Sequence, residues 1–438
     1  MTIQYNPAQL EVISAVDDVL NGGPSPIVVT GAGGTGKTTC VMDSVKRALA
    51  SGKSVLLCAP TNKAVEVLYL AALAAGISAG SGVQFATLHS ALGLRMLPDE
   101  DTKQVAKVSD GFIFSYDLVI IDECSMLGRY LVHKILMPTV EAFNVPVVFM
   151  GDEKQLFPVR ETMSPVFEMF PVYNLNKVER FAAQSEIAKI NKHLRGTIDN
   201  HVAFNYEPMD GASGGVFPMK DRFFKEFVRE HFSSEYTDPR KSVVVAWRNR
   251  TVDAYNSMIR TARFGKDAPR LVEGELMRVG ATIMAGKESW ASVDDEIVVQ
   301  KFVPCQELIY DENQPDVRFL SDKVLALHER TGATRWLNIL APESENEVFS
   351  ELNRLANLAK RNPVFWKQFW KLKDTFQDLR YPYCITVHKS QGSTYEEVFV
   401  DVKDITGCRA LAERQRLLYV ACSRPSKSLY VNVEQMRA

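Results

Sequence analysis

The stretch PIVVTGAGGTGKTTC, residues 26–40, decides the fold. A β-branched apolar run, a glycine-rich turn and a lysine–threonine pair stand in the order strand, loop, helix. Its G-x-x-x-x-G-K-T spacing is that of a phosphate-binding loop. Glycines there let backbone N–H groups converge on phosphate oxygens, and the helix N-terminus behind them adds positive partial charge. Gly31, Gly33, Gly34, Thr35, Gly36, Lys37, Thr38 and Thr39 are therefore the expected nucleotide contacts, with Lys37 at the β/γ-phosphates and Thr38 on Mg²⁺. ATP and magnesium are the implied ligands. A chance glycine-rich turn fits less well, because strand, loop and helix already stand in the required order.

Working outward, SVLLCA, DLVIID and VPVVFM alternate with helical patterns up to about residue 150. Continuous apolar strands separated by helices predict a doubly wound parallel sheet covered on both faces. A second series of the same kind, SVVVAW, YCITV, EEVFVDV and SLYVNV, encloses the helical ALAERQRLLYVACS. The fold class is thus α/β with two such sheets. Between them, short β-like runs followed by ESENEVFSELNRLANLAKR predict a small SH3-like β-barrel with helices. The expected division is 1–173 for the first domain, 174–265 with 380–438 for the second, and 266–379 for the insertion. Residues 90–116, with Pro98-Asp99-Glu100-Asp101 between short apolar stretches, predict a projecting hairpin in the first domain.

LVIIDECS, 118–125, is an apolar strand ending in two carboxylates. Asp122 is placed to hold Mg²⁺ and Glu123 to orient or deprotonate an attacking water. GDEKQLFPV, 151–159, follows the next strand and offers the Gln155 amide to the γ-phosphate. An ordinary turn is the plain alternative for that segment.

These motifs, with APTNKAVEVL, ATLHSALG, LNKVER, ITVHKSQGSTYEEVFVD and LLYVACSRP in order, resemble those of superfamily 1 helicases, and of their RecD-like subgroup in particular. The resemblance covers essentially the whole chain. It implies two RecA-like domains and ATP-dependent 5′-to-3′ movement on single-stranded DNA coupled to duplex unwinding. It also implies that Arg424, with Arg180, reaches the nucleotide as an arginine finger, a device worth roughly 10³–10⁵-fold in rate. The plain alternative for Arg424 is a cation at a helix C-terminus. Gln9 resembles the family's adenine-reading glutamine, against a solvated glutamine at a helix start. Implied DNA contacts are Thr61, Asn62, Lys63, Thr87, His89, Asn249, Arg250, Thr386, His388 and Lys389. Hydroxyls, amides and cations at loop ends suit sequence-independent gripping of phosphates.

Composition narrows the setting. With 51 Lys plus Arg against 53 Asp plus Glu, no global basic field advertises a polyanion, so a nucleic-acid site has to be a local groove. No apolar run reaches the length that spans a bilayer, and the N-terminus lacks a signal-peptide pattern. Seven scattered cysteines with no C-x-x-C pair argue against a zinc or disulfide framework. The expectation is a monomer in the cytoplasm, that of a bacterial host if phage-encoded. Single-stranded and forked DNA are the expected partners, beside a single-strand-binding protein or replication proteins. Phage-encoded members of the family imply a role in phage DNA replication or recombination.

The aromatics Phe365, Trp366, Phe369, Trp370 and Phe376 lie at helical spacing and are expected to be core. The hairpin segment holds no aromatic before Phe112, leaving Met96, Leu97 and Val105 as its apolar options. The resemblance implies a hairpin pin that splits the duplex with an aromatic at its working end, and the departure from it motivates an alternative, a translocase that strips proteins from single strands with weak unwinding. A non-hydrolysing module with a retained phosphate loop is a third reading, opposed by Lys37, Asp122, Glu123, Gln155 and Arg424 together.

Overall fold

Strands buried on both faces organise the first part of a computed structural model of the chain. It describes residues 4–78, 80, 82–96, 105–107, 110–158, 161–176, 185–200, 215–234, 236–286, 288–309 and 318–432. Six strands lie in the order Val83–Thr87, Val55–Ala59, Leu118–Ile121, Val147–Gly151, Ile27–Gly31, Val172–Leu175. Every neighbouring pair is parallel. Successive side chains of one strand enter different cores. Val29, Leu57, Ile120 and Val148 pack with the helices Pro7–Leu20, Lys37–Ala50 and Asn62–Ala74, whereas Val28, Leu56, Val119 and Val147 pack with Val132, Leu136 and Val140. This two-sided burial is why the strands read as unbroken apolar runs. The sheet runs on to Leu175, where the expected domain limit was 173.

A second sheet has the order Cys384–Thr386, Ser242–Ala246, Tyr395–Val400, Pro425–Asn432, Val216–Met219. Tyr395–Val400 pairs parallel with Pro425–Asn432, which pairs parallel with Val216–Met219. The helix Leu411–Cys422 makes the crossover between the first two of these. Two parallel α/β sheets were expected, and two are present.

By compactness the chain divides into two units. One takes residues 1–225, 244–252 and 385–438, and the other takes 226–243 and 253–384. Within the latter lies a five-stranded antiparallel sheet, Thr334–Leu340, Arg318–His328, Glu296–Ile309, Leu276–Val279, Leu379–Arg380. The helices Glu345–Arg361 and Phe365–Thr375 follow it. Phe365, Trp366, Phe369, Trp370 and Phe376 pack with Phe319, Val348, Leu355 and Leu372, so the aromatic stretch is core.

The expected hairpin is an antiparallel pair, Leu94–Met96 with Val105–Lys107, with Met96 in backbone register with Val105. Leu97 and the Pro98–Asp101 turn lie outside the described residues. Phe112 packs on the first sheet's second core and meets Tyr116 edge-on.

Candidate nucleotide and nucleic-acid site

The phosphate loop starts where Ile27–Gly31 ends and closes into the helix Lys37–Ala50. Gly36, the helix N-cap, has φ 91°, and a Cβ there would stand 2.7 Å from Gln9 Nε2. Both facts demand glycine. Gln9 donates through Nε2 to Thr35 O at 3.1 Å and accepts through Oε1 from Asn6 N at 3.0 Å. It is therefore no solvated helix-start residue. It belongs to the capping box of Pro7–Leu20 and fastens that helix to the loop. Thr35 is buried and donates to Ala32 O at 2.9 Å, while Lys37 Nζ arches over the loop to Gly31 O (2.6 Å) and Ala32 O (3.1 Å).

Asp122 and Glu123 follow the strand Leu118–Ile121. Glu123 sits in the left-handed region (φ 52°, ψ 40°), a conformation that costs a non-glycine residue about 1–3 kcal/mol and clusters at functional sites. Its N–H donates to Asp122 Oδ1 at 2.8 Å. Burial and then the neighbouring Glu123 charge push the Asp122 carboxyl up to about 7, against that N–H and Lys37. Two hard oxygen donors, the Thr38 hydroxyl and the Asp122 carboxylate, fit a magnesium ion, whose charge reverses this penalty. Among the described residues no group of three His, Cys, Asp or Glu side chains makes a metal cage. A magnesium ion held by one or two protein donors and substrate phosphates needs none.

Gln155 is buried and its Oε1 accepts no hydrogen bond among the described residues. A buried acceptor left unmatched is costly, and it suits a group that orients water during turnover. The segment around it is fixed from the second sheet. Arg416 Nη1 donates to Glu153 O (2.6 Å) and Gln155 O (2.9 Å), and its guanidinium lies 3.7 Å from the centre of the Phe157 ring.

Arg424 follows the helix Leu411–Cys422 and is 8% exposed. It donates to Val420 O (2.9 Å), Ser393 O (3.2 Å) and Ser423 Oγ (2.8 Å), and among the described residues no carboxylate bonds it. Burial pulls its guanidinium below the ordinary value, opposed first by the charge of Glu123 and less by Tyr419, Tyr395 and Asp152. The helix-end reading is therefore part of the truth: Arg424 does bond a carbonyl of the last turn. Yet a buried cation held only by uncharged acceptors, with Glu123 the leading charge upon it, is also a cation placed for an anion. Arg180 lies outside the described residues.

Three of the expected DNA contacts share one device. Thr61 caps Asn62–Ala74, Thr87 caps Leu88–Ala91 and Thr386 caps Val387–Ser390, each hydroxyl accepting a backbone N–H at 3.2–3.3 Å. A hydroxyl so used keeps its own proton to donate. All three stand at the carboxyl ends of strands. Lys63 pairs with Glu66 at 2.7 Å, and burial lowers the His89 pKa, so its imidazole is neutral near pH 7. Asn249 and Arg250 are exposed at the start of the helix Asn249–Phe264. Asp404 braces that turn, accepting from Trp247 N, Arg248 N and Thr251 Oγ1, each at 2.8 Å, and from the Arg248 guanidinium.

Sequence reasoning missed Gln391. This buried residue donates to Ser125 Oγ (3.2 Å) and Glu123 Oε2 (3.4 Å). A Cβ at Gly392 would stand 3.4 Å from Ala64 and 3.8 Å from Glu123 Oε1. The segment Thr386–Ser393 thus carries DNA candidates at its start, touches Glu123 in its middle and bonds Arg424 at its end. The signal was available: a polar Gln391 in a buried setting has to find partners.

Comparison with known proteins bears on the family and the fold. Residues 4–207 match an AAA domain model and residues 381–432 a UvrD-like helicase C-terminal domain model. An uncharacterized protein of Acanthamoeba polyphaga mimivirus is 26% identical over 490 residues, covering 92% of this chain and 94% of that one. The ATP-dependent DNA helicase Dda of Enterobacteria phage T4 is 24% identical over 425 residues, covering 91% and 92%. In fold, the chain resembles Pif1 helicases solved at forked double-stranded DNA (TM-score 0.54, 16% identity, 99% of this chain and 93% of that one). It also resembles a Bacteroides Pif1 helicase with ADP-AlF3 and single-stranded DNA (TM-score 0.52, 14% identity, 99% and 94%).

Proposed function

We infer that this chain is an ATP-dependent DNA helicase of superfamily 1, similar to Dda, that walks 5′-to-3′ on single-stranded DNA and opens duplex ahead of it. The observation that carries the reading is Arg424: a buried guanidinium that no carboxylate bonds among the described residues, delivered by the second sheet's crossover helix and acted on by Glu123 of the first. Charge builds on the γ-phosphoryl oxygens in the transition state, so an arginine supplied from a second domain makes hydrolysis depend on closure.

Each residue then has one task. Gly31 and Gly33–Thr39 hold the phosphates, Gln9 stands beside the loop for the base, and Lys37 gives up its carbonyl partners for the β/γ-oxygens. Thr38 and Asp122 would hold magnesium, which when bound neutralises phosphate charge. Glu123 takes the proton of the attacking water and Gln155 orients it. Arg424, with Arg180, meets the transferred phosphoryl group. Thr61–Lys63, Thr87, His89, Asn249, Arg250, Thr386, His388 and Lys389 grip the strand. The partners are single-stranded and forked DNA with a single-strand-binding or replication protein. The setting is a monomer in phage DNA replication or recombination, in a host bacterial cytoplasm. No described helix is long and apolar enough to cross a membrane.

The test is steady-state ATP hydrolysis with and without single-stranded DNA, beside strand separation on duplexes with a 5′ or a 3′ tail. Strong DNA stimulation, unwinding from the 5′ tail only, and a fall of roughly 10²–10³-fold or more in Lys37→Ala are expected. An ATPase indifferent to DNA sinks the reading. DNA-stimulated hydrolysis with protein displacement but poor strand separation selects the translocase alternative, which the absence of an aromatic between Leu92 and Phe112 favours.

A further inference from the structure

Asp152 is 0% exposed, a burial that a carboxylate tolerates only with full pairing. Its Oδ1 accepts from Arg195 Nη1 and from Lys154 N (3.0 Å), and its Oδ2 accepts from Tyr419 OH at 2.8 Å. Arg195 also donates to Tyr419 OH at 3.2 Å, which closes a triangle. The three corners come from separate elements. Asp152 follows the first-sheet strand Val147–Gly151, Arg195 lies on the helix Glu186–Asn200, and Tyr419 lies on the helix that ends at Arg424. The two helices are tied to each other as well, through Gln415 Nε2 to Thr197 O at 2.7 Å.

We propose that Arg195 and Tyr419 are positioning residues for ATP hydrolysis: their clasp on Asp152 locks Gln155 in register with Arg424. The inference rests on the ATPase reading above. Asp152 O accepts from Gln155 N at 3.0 Å and Asp152 Oδ1 from Lys154 N, so the carboxylate shapes the turn that presents Gln155. One helical turn before Tyr419, Arg416 grips the Gln155 carbonyl. One turn after it, the same helix delivers Ser423 and Arg424. A single rigid helix therefore sets both the water-orienting amide and the finger. A buried ion pair contributes little net stability against an apolar replacement, and its best-attested use is to fix register. Arg195 lies in none of the sequence motifs quoted above for the ATP site.

The experiment uses the full chain and the variants Tyr419→Phe, Gln155→Ala and the double substitution. Tyr419→Phe keeps the ring and removes one hydrogen bond to a charged group. Single-strand-stimulated kcat should fall roughly tenfold while KM for ATP stays near that of the wild type; the Asp152 oxygen left unpaired also lowers the melting temperature, so the split between kcat and KM carries the test. In the Gln155→Ala background the same change should cost under about twofold, because residues that act as one unit are non-additive. Wild-type kcat in Tyr419→Phe overturns the proposal. So do effects that multiply in the double variant, or a lowered melting temperature with unchanged kcat. If the wild type shows no DNA-stimulated hydrolysis, the parent reading fails instead. Arg195→Lys is the second probe: charge is kept but the planar guanidinium that places Nη1 between Asp152 and Tyr419 is lost, and the same fall in kcat at unchanged KM is expected.

Discussion

The two sides of the ATP site are built differently. The phosphate loop is largely local: nine consecutive residues, Gly31–Thr39, hold themselves through Thr35 to Ala32, Lys37 to Gly31 and the turn at Gly36, with Gln9 and the pairing of Gly31 with Leu175 as distant fastenings. The opposite side is assembled from afar. Glu123 meets Gln391 across 268 positions, Asp152 meets Tyr419 across 267, and Arg424 is held by Ser393. A local loop folds into shape whatever the rest of the chain does. An assembled half exists only when the two sheets are correctly docked, so it can report domain position to the chemistry. Under the proposed function, binding belongs to the first side and switching to the second.

Arg424→Ala tests that division hardest. If the assembled side controls chemistry alone, turnover with single-stranded DNA should fall roughly 10³-fold or more, while affinity for a non-hydrolysable ATP analogue changes little. The Val420 and Ser393 carbonyls lose one cationic donor each, but the cost of burying that charge goes with it, so the melting temperature should hardly move. Turnover within tenfold of wild type would leave Arg424 as a helix cap. A matching loss of nucleotide affinity would erase the contrast between the two sides.

Gln391→Met is the next probe, and it sharpens the comparison by keeping shape while removing the donor to Glu123 and Ser125. A hydrogen bond to a charged group is worth ~1.5–3 kcal/mol, or roughly 10–100-fold. That loss should appear in the DNA-stimulated rate, since Thr386, His388 and Lys389 share the segment that ends on Arg424. Measured as the ratio of rates with and without single-stranded DNA, an unchanged ratio would show that Gln391 only packs.

How far the sequence could be read follows the same line. Strands, phosphate loop, Asp122, Glu123 and the two parallel sheets were legible because each is set by contiguous residues: apolar runs, glycines at fixed spacing, a carboxylate after a strand. Gln391, Arg416 and Tyr419 stood inside quoted motifs and were passed over, and Arg195 stood outside all of them. Gln415 and Tyr419 are buried on the same helix as Leu417, Leu418, Val420, Ala421 and Cys422, and Arg416 is half-buried beside them. Polar groups on such a helix have to be satisfied somewhere. Which partner satisfies them is a tertiary fact, and no spacing rule along the chain carries it.

The smallest effect is expected within the local side itself, and it separates two glycines that look alike in the motif. A Cβ at Gly33 meets nothing within 4 Å, whereas one at Gly36 meets Gln9 Nε2 at 2.7 Å on a backbone with φ +91°. Gly36→Ala should therefore lose ~1–2 kcal/mol of stability through the left-handed backbone alone, plus the Gln9 bond to Thr35 that the new methyl displaces. Gly33→Ala should stay within about 0.5 kcal/mol, as unstrained surface changes do. Urea unfolding of the two variants beside the wild type decides it. Equal stabilities would mean that the loop is not shaped by its own backbone and Gln9. The local side would then depend on the rest of the molecule as much as the assembled one does.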